Sequence, residues 1–168
     1  MHQHQSRTAP PWRRIALQAI TSITLMAAAT VHAGECPTDK RVADGQGQKP
    51  GATAPKDVTD VVRASTDLSK EPAAIKGRLF RLRQLELKPG GVVPWHPHTD
   101  RPAMIYVVSG EVTEYASNCA VPIMHKAGDV AAEKNGTSHW WQNTGKTDAV
   151  LISVDLFPTG KKMDEKMM

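Results

Sequence analysis

The chain has 168 residues, with 21 Lys and Arg against 17 Asp and Glu and a formal net charge of +4. The charged residues among the first 33 are Arg7, Arg13 and Arg14, so the remaining 135 residues (168 less 33) hold 18 basic and 17 acidic groups and a net charge of +1. So even a balance gives no reason to expect a nucleic-acid partner, and 135 residues are enough for one domain with a core of its own.

The first 33 residues read as a secretory signal. "MHQHQSRTAPPWRR" is basic, "IALQAITSITLMAAAT" is apolar and small, and "VHA" places small residues before Gly34. The apolar run is too short to span a bilayer, which takes about 20 residues. An uncleaved anchor or a buried helix is the alternative. The expected location is periplasmic or secreted, with no stable membrane span after cleavage. Export implies an oxidising space, which makes Cys36 and Cys119 candidates for a disulfide tying the N-terminal segment to the body. Two unpaired thiols remain the alternative reading.

Residues 34–57 are rich in Gly, Pro, Lys and Asp, as in "DGQGQKPGATAP", and read as a flexible linker. The domain is expected over residues 58–168, with a core at 77–157. "GRLFRLRQLELKPGG" is strand-like and ends in a Pro-Gly-Gly turn; its apolar positions shift phase between Leu82 and Leu85, which predicts a bulge or a change of face. "AMIYVVSGEVTEY" predicts two strands about a Ser-Gly turn. Short strands follow, broken by Ala-Gly-Asp, Asn-Gly and Thr-Gly, and "DAVLISVDLF" predicts a final strand buried on both sides. Frequent turn signals without an amphipathic helix define an all-β sandwich or barrel.

Four histidines lie in this domain: His96, His98, His125 and His139. His96 and His98 are two apart, so on a strand they face the same way, roughly 6–7 Å apart along the backbone, and can reach one divalent ion. On a helix the same spacing would point them apart. His125 lies before the "KAGD" turn and reads as a surface residue. Glu111 and Glu114 sit in a hairpin pattern that reads as solvated charge.

The spacing around the histidines resembles the cupin superfamily. Gly90, His96, His98 and Gly110 match its first motif in register, with Ala103 where the motif has Glu. Gly128, Gly136, His139 and Asn143 match the second, with Lys134 where the motif has Pro. The resemblance covers residues of about 77 to 157. It implies a small jelly-roll-like β-barrel of six to eight strands, with a divalent transition metal (Fe, Mn, Ni, Zn or Cu) held by His96, His98 and His139. Trp141 and Asn143 share the face of His139 if that stretch is a strand, and with Ala103 and Tyr106 they are the expected substrate pocket. Trp140 and Trp95 should point the other way. A homodimer is common for this barrel by resemblance.

Ala103 is the departure, and three readings follow. A three-histidine site with open positions is chemically sound. Alternatively Glu133, Asp100 or Glu111 reaches in from elsewhere. Lastly, the metal is weak or absent and the pocket only binds a ligand. Three neutral imidazoles alone would leave a divalent ion its full charge and a stronger pull on anionic ligands. Two functions remain open: a three-histidine metal-dependent enzyme acting on a small organic molecule, dioxygenase-like, with no evident general base; or a non-catalytic binding or sensing protein.

Overall fold

The structure, a computed structural model, describes residues 34–160; the signal expected over 1–33 lies outside them. Eight strands follow in chain order: β1 (Lys56–Asp67), β2 (Arg78–Pro97), β3 (Ala103–Ser109), β4 (Glu111–Ala116), β5 (Ile123–Lys126), β6 (Val130–Glu133), β7 (Ser138–Gln142) and β8 (Ala149–Pro158). The spatial order is β5-β4-β7-β2-β8-β3-β6, with β1 added on β2, and every pairing is antiparallel. The sheet curls into a nearly closed barrel.

Alternation decides what goes inside. Along β3, Ala103, Ile105 and Val107 are buried while Met104, Tyr106 and Val108 are exposed. Leu85, Leu87, Val93, Ile105, Val107, Val112, Trp141 and Leu151 form one interior cluster. Burial of such side chains is the main drive for closing the sheet, at about 1.5–3 kcal/mol each. β8 alternates fully buried with half-buried residues, so its second row is only partly covered.

Two local expectations for β2 change. The strand does not change face where its apolar positions shift phase: Arg81, Arg83, Leu85 and Leu87 all face inward, and Phe80 and Leu82 face out. The inward arginines looked like outward ones because charge is normally solvated. The bulge lies on the partner strand instead, where Val62 and Ala64 oppose the adjacent residues Arg83 and Leu82 and leave Arg63 as the extra residue. Pro89-Gly90-Gly91 is not a turn. β2 runs through it, with Gly90 at φ +77 and a register shift against β1.

Residues 34–55 have little regular structure, yet the body holds them. Cys36 and Cys119 form a disulfide. Arg41 makes a bridge to Cys119, Gly47 N–H donates to Ser117 O at 2.7 Å, and Trp95 N–H donates to Ala52 O at 2.9 Å. A Cβ on Gly47 would lie 2.4 Å from Cys119 O, so only glycine allows this approach. Low hydrophobicity made the segment read as flexible; its partners are remote in sequence and do not show there. Among the described residues no helix is long and apolar enough to cross a membrane.

Candidate metal centre

β2 and β7 pair so that His96 stands opposite His139, and His98 follows just past the end of β2. The three rings meet inside the barrel with centroids 4.8–4.9 Å apart. All three are buried, His139 to 1% exposure. One nitrogen from each lies within 4.8 Å of the others.

The hydrogen bonds fix which nitrogens these are. His96 Nδ1–H donates to Pro94 O at 2.8 Å, and His98 Nδ1–H donates to Arg101 O at 2.6 Å. His139 Nδ1–H donates to Glu114 Oε1 at 2.6 Å. Each Nδ1 faces an oxygen that can only accept, so each carries a proton there, and in the neutral form of each ring Nε2 presents a lone pair. The Nε2 atoms of His96 and His98 confront each other at 2.9 Å. Burial pushes both pKa values down, His98 to about 4 and His96 well below the usual range, so no proton bridges them at neutral pH. Two buried lone pairs at that distance repel unless a cation lies between them. His139 Nε2 faces Glu133 Oε1 at 3.2 Å. The donor set therefore fits a divalent transition metal, for which neutral imidazole is a preferred ligand.

Glu133, at the end of β6, faces the same point. Its carboxylate oxygens lie 3.1 Å from His98 Nε2 and 3.2 Å from His139 Nε2. Burial raises its pKa, but the two imidazoles outweigh burial and hold the carboxyl well below its usual range. For His139 burial disfavours charge, yet Glu133 and Glu114 prevail and lift it to about 10.

Glu114 also changes its reading. It is buried on the inner face of β4 between Val112 and Ala116, and accepts from His139 and from His125 Nε2–H at 2.9 Å. Burial pushes its pKa up, but these two donors bring it down to about 2. His125 is fully buried and stacks on Trp141, ring centroids 4.5 Å apart. The alternation in "EVTEYA" already places Glu114 on the face of Val112 and Ala116; its charge masked the signal. Glu114 thus sets the tautomer of His139, as carboxylates commonly do for metal-bound histidines.

The residues expected to form a pocket separate. Trp141 is buried, edge-on to His139 at 5.7 Å, and walls a small inner cavity of about 10 Å³, room for about one water. Tyr106 is 46% exposed on the outer face of β3, because it is odd in step with the inward Ala103 and Ile105. Asn143 is buried, but its amide is occupied by backbone: it donates to Leu87 O and Thr147 O and accepts from Gly145 N–H. Ala103 faces inward opposite Glu133 and lines neither cavity. Trp140 turns away from the histidines and stacks on Tyr115 at 4.0 Å.

The larger cavity, about 330 Å³, opens beside His98, Glu133 and His139. Its outer wall includes Glu35, Cys36 and Arg41 of the pinned N-terminal segment, with Lys134, Asn135 and Thr137. Next to the histidines lies a second buried polar cluster, of Arg81, Arg83, Arg101, Asp60 and Asp155. No sequence pattern announced it, since its members come from four separate stretches.

Fold, motif spacing and the histidine cluster together make this chain a member of the cupin superfamily, and a cupin-domain family model matches residues 83–155. The chain is 39% identical over 87 residues to an oxalate-binding protein of Thermotoga maritima, a match covering 52% of this chain and 69% of that protein. It is 32% identical over 81 residues to an auxin-binding protein of Prunus persica, covering 46% of this chain and only 39% of that relative. The solved structure of a predicted oxalate decarboxylase from Thermotoga maritima aligns with a TM-score of 0.50 and 21% identity, over 73% of this chain and 98% of that one, which shows the shared fold alone.

Proposed function

We propose that this cupin binds a divalent transition metal through His96, His98 and His139, and that a small carboxylate-bearing organic molecule, oxalate being the first to try, reaches the metal from the 330 Å³ cavity. The observation that carries the reading is the 2.9 Å approach of two unprotonated ring nitrogens whose other nitrogens are both engaged. The ligand class is supported by the name of the Thermotoga maritima relative and by Lys134 at the cavity wall. A bound metal supplies Lewis acidity toward the carboxylate and, if redox-active, the electron transfer that oxygenase-type chemistry needs.

The chain's own residues do the rest. Pro94, Arg101 and Glu114 hold the rings in the metal-binding tautomer. Leu85, Val93, Ile105 and Leu151 form an apolar wall behind them. Lys134 makes no ion pair among the described residues and can meet an incoming anion. Among the described residues the carboxylates lining the cavity, Glu35, Glu114 and Glu133, all pair with histidines or an arginine, which favours binding over oxygenase-type turnover. A periplasmic or secreted location belongs to the same reading and is supported by the disulfide. A homodimer is supported by the apolar outer face of Met104, Tyr106, Val108 and Val130.

Elemental analysis followed by oxalate titration, with oxygen uptake recorded alongside, tests the reading. One metal per chain and oxalate binding that disappears in His98→Ala is the expected result. A chain that takes up no divalent metal sinks it, and oxygen consumption on oxalate or a phenol would replace the binder by the enzyme.

A further inference from the structure

β3 and β6 pair with Ala103 directly opposite Glu133. Ala103 is also opposite Asp155 on β8, and Asp155 is opposite Arg81 on β2. One inward row thus runs Arg81, Asp155, Ala103, Glu133 across four strands. The motif places its carboxylate at position 103, and here the carboxylate stands one ladder step away. Directly opposed residues have Cβ atoms about 4.5–5.5 Å apart, a gap that the two methylenes of Glu can span. We infer that Glu133 is the anionic ligand of the centre, supplied from β6 in place of β3.

Three observations carry this. Both Glu133 oxygens face Nε2 atoms, at 3.1 and 3.2 Å. Among the described residues no backbone or side-chain group other than those rings approaches either oxygen as a donor. A buried carboxylate so placed needs a positive counter-charge, which a metal ion held between it and the rings would supply. Asp155, the other acid in the row, is not available. Arg81 Nε–H donates to its Oδ1 at 2.9 Å and Arg81 Nη2–H to its Oδ2 at 2.6 Å, while Arg101 Nη1–H reaches Oδ2 at 3.2 Å.

The row also explains Ala103. A Glu there would stand between Asp155 and Glu133, three buried carboxylates abreast, and like charges directly opposite destabilise a sheet. Moving the carboxylate to β6 requires a small residue at 103. Glu133 also changes the charge expected from three histidines alone. The divalent ion and this carboxylate sum to +1, which softens its pull on anions and favours a higher oxidation state of a redox metal. Asp100 and Glu111, the other acids considered for this place, lie elsewhere: Asp100 pairs with Arg78, and Glu111 packs against Gly145.

The inference rests on the proposed metal site, and its test separates the two. Metal-stripped protein is titrated with cobalt(II), followed by its visible absorption, for the wild type, Glu133→Gln, Glu133→Ala and the double variant Ala103→Glu/Glu133→Ala. Unfolding of each metal-free variant is recorded as a control. The wild type is expected to bind one ion. Glu133→Gln should weaken binding on the order of a hundredfold, the upper end of what losing a supporting partner of a ligand costs. The double variant should recover at least tenfold over Glu133→Ala, since the carboxylate returns by the opposite strand. Glu133→Gln within threefold of the wild type, or no recovery in the double variant, overturns the inference while leaving the histidine site standing. A wild type that binds no cobalt removes both.

Discussion

Two buried polar clusters share the barrel interior, and they differ in how they are closed. Arg81, Arg83 and Arg101 surround Asp155, and Arg83 also pairs with Asp60. In that cluster acids meet bases and offset most of one another's burial, with Asp60 Oδ1 and Arg83 Nε left outside the hydrogen bonds. At the histidines, the Nε2 atoms of His96 and His98 face each other, and a carboxylate faces His98 and His139. A cluster whose charges mostly pair with one another is framework; one that a bound cation would complete is a candidate site. The same row of the sheet, from Arg81 to Glu133, passes from one kind to the other.

The contrast can be broken most forcibly at Asp155. Asp155→Ala leaves three buried arginines without their shared partner and should destabilise the fold by about 3–5 kcal/mol, with or without metal. Urea unfolding measures it, and a loss below 1 kcal/mol would mean the cluster does not hold the barrel. The histidine cluster should respond oppositely. Chelation should lower wild-type stability by about 2.7 kcal/mol relative to protein held at a hundredfold excess of metal over Kd. His98→Ala should show no chelator effect in thermal unfolding.

Glu114→Gln sharpens the comparison. It keeps the shape but removes the charge that fixes His139, and metal affinity should fall by roughly ten- to a hundredfold with little change in metal-free stability. An equal loss of metal-free stability would place Glu114 with the framework instead. The smallest effect is pH dependence. With its pKa lifted to about 10, metal-free His139 is protonated at neutral pH, while His98, lowered to about 4, is not. A metal must therefore displace one proton. Affinity should rise with pH by up to about tenfold per unit between pH 7 and 9, approaching a plateau near 10. Flat affinity over that range would show that His139 enters the site already neutral.

Much of the fold and the meeting of three histidines were legible in the chain. The turn signals and alternating strands specify a β-barrel because a period of two leaves few other ways to bury one face. The His-x-His pair and His139 were legible because their spacing on strands is itself a geometric statement. Tyr106 and Asn143 were misplaced for lack of two facts that periodicity does not carry: which row of β3 faces inward, and how the loop after β7 turns back to occupy an amide. Glu114, His125 and the buried arginines were hidden because charged residues are assigned to solvent unless a partner is known, and every partner here is distant in sequence. Ala103 is the sharpest case. The chain alone shows that a carboxylate is missing from one strand. Only the register between β3 and β6 puts Glu133 opposite the gap, because strand pairing brings together residues thirty positions apart that no local pattern relates.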